Sequence, residues 1–235
     1  MATFRVENFF NTFHNKLEEP VRKHLKNVYS CVAISTLAAA GGGYVHLFTN
    51  LFQGGLLSAL AALAFLALLH FTHNDGKNAG MRLSFMVGFA FATGLGLGPL
   101  LKVVITVNPS LISLAFLATS TIFLCFTLCS LFSERGSWLF LGGSLMSILS
   151  TMFLLGMVNL FTRSVFISQI HLYLGLAVMC GFILYDTQLI IEKCRMGDRD
   201  FIRHSVDLFI DFVGVFQKLL IILTQKEESR KRRKN

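Results

Sequence analysis

Residues 27–74 read NVYSCVAISTLAAAGGGYVHLFTNLFQGGLLSALAALAFLALLHFTHN, a 48-residue stretch without one Asp, Glu, Lys or Arg. A helix rising ~1.5 Å per residue crosses ~30 Å of hydrocarbon in about 20 residues, so this stretch has room for two spans. Gly54-Gly55 supplies the turn between them.

The rest of the chain repeats the pattern, with further uncharged runs at 83–101, 103–133, 136–162 and 164–185. Across 235 residues the composition is 54% hydrophobic and 14% charged, with mean hydropathy +0.63. Soluble proteins carry roughly 25% charged residues, so a soluble globular domain is excluded. In lipid every backbone N–H and C=O must be satisfied within its own segment, which makes the segments helices. The predicted class is all-α: a polytopic membrane helical bundle of six spans near 28–48, 52–72, 83–104, 111–132, 138–160 and 165–190, plus a seventh, charged segment at 205–225. The seventh carries Asp207, Asp211 and Lys218, each costing ~2.5–3.5 kcal/mol at the centre of an isolated helix. It must hide these charges inside the bundle or be re-entrant.

Turn residues at Asn74-Asp75-Gly76, Asn108-Pro109-Ser110 and Gly197-Asp198 fall between spans. No linker divides the chain, so the expected organisation is a cytosolic N-terminal arm (1–27), a single transmembrane helical domain (28–225) and a basic cytosolic tail (226–235). No cleavable signal peptide is expected, because Arg5, Glu7, Lys16, Glu18, Glu19, Arg22, Lys23 and Lys26 precede the first apolar run. In the arm, Val6, Phe10, Phe13, Leu17 and Val21 recur at helical spacing. They fit either a short surface helix or a solvated arm.

Charge sets the orientation. With a cytosolic N-terminus, the cytosolic segments hold twelve basic residues: Arg5, Lys16, Arg22, Lys23, Lys26, Lys77, Arg82, Arg135, Lys193, Arg195, Arg199 and Arg203. The opposite loops hold Lys102 and Arg163. The tail residues Lys226, Arg230, Lys231, Arg232, Arg233 and Lys234 would lie on the far side if all seven segments crossed, so both termini are predicted to be cytosolic. The tail is expected to bind anionic lipid or an acidic partner through charge, with a simply solvated tail as the alternative. No nucleic-acid partner is expected.

Several groups have ordinary readings. Cys31, Cys125, Cys129, Cys180 and Cys194 lack metal-site spacing and read as buried small hydrophobes. Gly94 and Gly98, one turn apart, allow close helix contact, with Pro99 ending or kinking its span. His46, His70, His73 and His171 lie near span ends and read as interfacial anchors, like Tyr44 and Trp138.

The intramembrane acids carry the chemistry. Asp186 follows 22 uncharged residues, and Asp207 and Asp211 share a helical face that continues through Gly214 and Lys218. By itself Asp186 could close its span by snorkelling to water. Two acids on adjacent segments joined by a short charged loop instead suggest a shared site. Two carboxylates in one low-dielectric site hold a proton in common over part of the physiological pH range. Such a pair is a pH-sensitive latch, and calcium is the hard cation its oxygens prefer when ionised.

The runs Gly181-Phe182-Ile183-Leu184-Tyr185-Asp186-Thr187-Gln188 and Asp207-Leu208-Phe209-Ile210-Asp211-Phe212, the stretch from Gly88 through Pro99, and the basic tail together resemble the Bax inhibitor family over nearly the whole chain. The resemblance implies a multi-pass endoplasmic-reticulum membrane protein that is not an enzyme, suppresses apoptosis and mediates a pH-dependent calcium leak. By it, Asp186 and Asp211 correspond to a di-aspartyl pH sensor that would hold calcium transiently, and the tail corresponds to a cytosolic basic tail. Arg82 is the nearest match to a cationic latch residue, with Lys77 as the alternative. Implied partners are membrane lipids, Bcl-2 family death regulators, and endoplasmic-reticulum stress or calcium-release proteins. No cofactor is implied; calcium is the transported ion. Two other readings stand beside this one. The aspartates could form the dyad of an intramembrane aspartyl protease, although Leu208-Phe209-Ile210-Asp211 lacks the Gly-x-Gly-Asp such enzymes carry. The protein could also be a non-transporting scaffold for death regulators.

Overall fold

Each uncharged run contributes at least one helix in the computed structural model, which describes residues 17–49, 54–75 and 77–233. The helices are α1 (Glu19–Phe48), α2 (Leu56–Phe71), α3 (Ala79–Val107), α4 (Ser110–Phe132), α5 (Leu141–Thr162), α6 (Val165–Arg195) and α7 (Phe201–Arg232). Among the described residues there is no strand. α1, α3, α4, α5 and α6 are each long and apolar enough to cross a membrane, and α2 is a shorter apolar helix of 16 residues.

The most charged helix lies at the centre. α7 packs against α1, α3, α4 and α6, whereas α5 packs chiefly on α6. A helix bearing carboxylates is tolerated in lipid only where its polar stripe meets protein or water, so the bundle closes around it. Its apolar face is the core: Leu208, Phe209, Val215 and Leu220 are fully buried. Phe209 meets Phe89 of α3 edge-on at 5.7 Å between centroids, and Phe212 meets Phe123 of α4 at 5.5 Å.

Small residues set how closely α1 and α3 approach. A Cβ on Gly94 would stand 1.9 Å from the Ala39 carbonyl oxygen, one on Gly42 would stand 2.1 Å from that of Phe91, and one on Gly98 would stand 2.0 Å from the His46 ring. These glycines make backbone-to-backbone contact possible, as their spacing predicts.

Several expectations are corrected. Pro99 does not end its span; α3 continues to Val107. The Gly54 backbone packs against the Leu95 carbonyl, the group a proline at position 99 leaves without its helical donor. α1 begins at Glu19, inside the segment assigned to the arm, with Pro20 in the first turn where its missing N–H costs nothing. The arm's remaining positions through residue 16 lie outside the described residues. His46 is buried rather than interfacial: its Nδ1 accepts from the Gly54 N–H at 2.6 Å. Cys125 and Cys129 face outward, while Cys31 and Cys194 are buried.

The seventh segment does not turn back. α7 is one unbroken helix of 32 residues. Its far end reaches the opposite end of α6, where Gln169 donates to Gln225 at 3.2 Å, and the end of α3, where Lys231 donates to the Val107 carbonyl. At the start of α1, Glu18 instead meets Arg195 at the end of α6, at 3.5 Å. The termini of the bundle therefore stand at opposite ends, contrary to the shared side expected from charge. Burial of the polar stripe against α6 accompanies this straight course.

Candidate functional site at the interface of α6 and α7

Both helices are positioned by their connection. α6 ends in a turn closed by Gly197, whose φ of +100° is a conformation side-chain-bearing residues rarely adopt. The Asp198 N–H donates to the Lys193 carbonyl at 2.9 Å, and Asp198 Oδ1 accepts from the Asp200 N–H at 3.1 Å. Asp200 then caps α7, accepting from the Arg203 N–H at 3.2 Å.

From this turn the helices run antiparallel in a fixed register. Asp211 meets Asp186; one turn on, a Cβ at Gly214 would stand 2.9 Å from the Met179 sulfur; a further turn on, one at Gly175 would stand 2.6 Å from Lys218 Nζ. The stripe from Asp211 through Gly214 to Lys218 thus lies along α6. Lys218 rests over Gly175 and beside Met152, far along the interface from the acids.

The Asp186 and Asp211 carboxyl groups stand side by side across the interface, close enough to form a hydrogen bond when one of them is protonated. Carboxylates only accept, so such a bond exists only when one of the two carries a proton. Asp211 is 4% exposed, and its Oδ2 has no hydrogen-bond partner among the described residues. Asp207 lies within electrostatic reach of both, yet it belongs to a different surface, lining a crevice toward α2. Among the described residues no group of three or more His, Cys, Asp or Glu could hold a metal ion. The pair by itself offers calcium too few oxygens for a resident site, since calcium takes 6–8.

Arg82 is not brought to the pair. It is 3% exposed and grips Asp200 through two hydrogen bonds, Nη1 to Oδ1 at 2.8 Å and Nη2 to Oδ2 at 2.6 Å. It therefore anchors the turn between α6 and α7 to α3 and does not latch either sensor aspartate. Lys77 lies exposed before α3 and forms no ion pair among the described residues. The tail residues Lys226, Arg230, Lys231, Arg232 and Arg233 occupy the end of α7 and the residue after it, where Arg230 lies 3.9 Å from Glu227; Lys234 lies outside the described residues.

Sequence reasoning missed four residues here. Asp200 looked like one more loop charge, but it is the partner of Arg82. His24 and His204 form a buried pair, Nε2 to Nδ1 at 2.9 Å, and His204 Nε2 lies 3.4 Å from Asp198. Gln188, inside the recognised run, accepts from the Trp138 N–H at 2.8 Å and donates to Ser133 Oγ at 2.7 Å and the Glu134 carbonyl at 3.0 Å, fastening the connection between α4 and α5 to α6. The short spacing of Asp198, Asp200 and His204 marked a capped turn. Nothing local named partners more than a hundred residues away.

Comparison with known proteins agrees with this architecture along almost the entire chain. The family model described as "Inhibitor of apoptosis-promoting Bax1" matches residues 21–228. The chain is 50% identical to a protein named probable Bax inhibitor 1 from Paralichthys olivaceus, over 97% of this chain and 96% of that protein. It is 49% identical to Bax inhibitor 1 from Homo sapiens, over 91% and 90% of the two chains, and 36% identical to Bax inhibitor 1 from Arabidopsis thaliana, over 88% and 83%. The helical membrane bundle and the extent of these matches establish that the chain belongs to the Bax inhibitor family.

Proposed function

We propose that this protein resides in the endoplasmic-reticulum membrane, suppresses apoptosis and mediates a pH-dependent calcium leak gated by Asp186 and Asp211. The observation that supports this reading is the placement of the two acids side by side at the interface of α6 and α7. With one proton between them, the acids tie the helices together. Losing that proton places two negative charges side by side, which separates them or recruits a cation. Calcium, a hard ion preferring oxygen ligands, would pass as substrate, held briefly by the ionised pair.

Membrane lipids are the constant partner. Bcl-2 family death regulators, or proteins of stress signalling and calcium release, would connect the leak to cell death. The N-terminus is assigned to the cytosol on loop charge.

The test is calcium flux from liposomes containing only the purified chain, between about pH 5 and 8, the range in which a coupled carboxyl pair titrates. Wild type should show a pH dependence that Asp186→Asn and Asp211→Asn each flatten. Equal dependence in all three would make the pair structural. Absence of flux would favour a scaffold acting through partners.

A further inference from the structure

Between α2 and α7 lies a crevice of about 530 Å3, lined among others by Leu63, Leu66, His70, Arg203, Asp207 and Ile210. Its walls are largely apolar, but Asp207 is a carboxylate with no hydrogen bond or ion pair among the described residues. An ionised carboxylate among apolar side chains needs a partner or water, so an ionised Asp207 requires a crevice that admits water. Asp207 also stands one turn before Asp211 on the same helix, within electrostatic reach of both Asp211 and Asp186. It is therefore the acid that communicates with the crevice and with the buried pair.

Charged and titratable groups face Asp207 from α6, from α2 and from α7 itself. Lys193 and Asp186 approach from α6, Arg203, His204 and Asp211 from α7 itself, and His70 from α2 across the crevice. His204 is occupied by His24 of α1. Arg203 lines the same crevice one turn away without reaching ion-pair distance of Asp207. Asp207 thus presents a carboxylate that a small hydrated cation can approach.

We propose that the crevice between α2 and α7 is an aqueous vestibule for hydrated cations and that Asp207 draws them toward the Asp186–Asp211 pair. This rests on the reading of that pair as a gate, and it gives Asp207 a role separate from the pair: concentrating cations rather than holding the helices together.

Thiol-reactive probes of defined charge test it without measuring flux. Ile210 is 42% exposed and lines the crevice, so the full-length Ile210→Cys protein in liposomes offers a reporter, with Leu66→Cys on the facing wall as a second. Modification by a trimethylammonium methanethiosulfonate and by its sulfonate counterpart is read at the peptide containing position 210 by mass spectrometry, which separates it from the native cysteines. The cationic reagent should react from water, and adding Asp207→Asn should slow it about fivefold, the effect of one charge at ~4 Å in water. The anionic reagent should accelerate, and Asp207→Glu should retain the cationic preference.

Reaction only with a neutral, membrane-permeant reagent at both reporters would show a lipid-filled crevice and overturn the proposal. Reaction at equal rates whatever the residue at 207 would overturn the role of Asp207. Because labelling does not depend on calcium passage, flat flux with charge-selective labelling would sink the gate reading alone.

Discussion

Arg82, at the start of α3, holds Asp200, the cap of α7, by a two-point ion pair of 2.8 and 2.6 Å that is almost fully removed from solvent. This links three elements in one contact: α3, the turn after α6, and the first turn of α7. A guanidinium presents two parallel N–H groups to a carboxylate, a geometry that lysine lacks. Arg82→Met leaves Asp200 partly buried and unpaired, and should cost ~3–5 kcal/mol. Arg82→Lys should recover only part of this. Thermal unfolding of the purified protein in detergent measures both, and equal melting temperatures for wild type and Arg82→Met would show that the pair does not hold the turn.

Close approach of α1 and α3 makes a second, graded prediction. Gly94→Ala places a methyl 1.9 Å from the Ala39 carbonyl, so the backbones must part, at ~1–3 kcal/mol or more. Gly143→Ala on α5 meets nothing within 4 Å and should leave stability within ~0.5 kcal/mol of wild type. The ratio of folded to aggregated protein during purification, and the melting temperature, should separate the two variants clearly.

The course of α7 predicts topology. An unbroken helix from Phe201 to Arg232 carries its basic end away from the end of the bundle where Glu18 meets Arg195. In sealed microsomes, a tag after Asn235 and a tag before Met1 should therefore differ in protease sensitivity. Equal sensitivity would mean that α7 leaves this packing in the membrane and that tail charge prevails over the buried stripe.

The turn before α7 has its own acid dependence. Burial by itself would raise the Asp198 carboxyl, but the Asp200 backbone N–H and the nearby His204 outweigh it, leaving Asp198 below its ordinary value of 3.8. A depressed carboxyl stabilises the fold above its unfolded-state value, and that contribution disappears as pH falls through the folded-state value. The melting-temperature difference between wild type and Asp198→Asn should therefore be constant above about pH 5 and shrink as pH drops below 3.8. A difference that does not change with pH would assign the effect to shape rather than charge.

The sequence by itself determined the helices. Forty-eight uncharged residues at 27–74 admit no soluble fold, and the spacing of the other runs set the spans to within a few residues of α3, α4, α5 and α6. The reason is that the cost of burying charge and unsatisfied backbone in lipid is local, and local costs are written in composition. The acids were legible for the same cause: Asp186, Asp207 and Asp211 are conspicuous because hydrocarbon penalises them.

Tertiary structure alone decided which of those acids meet. Asp207 and Asp211 share a helical face, yet the α6–α7 register brings Asp211 to Asp186 and turns Asp207 toward α2. It also gave Arg82 to Asp200, paired His24 with His204, and carried α7 unbroken to Arg232. Each of these depends on packing between segments far apart in the chain, set by where glycines permit close approach and where a polar stripe finds cover, and no local window of sequence contains both sides of such a contact.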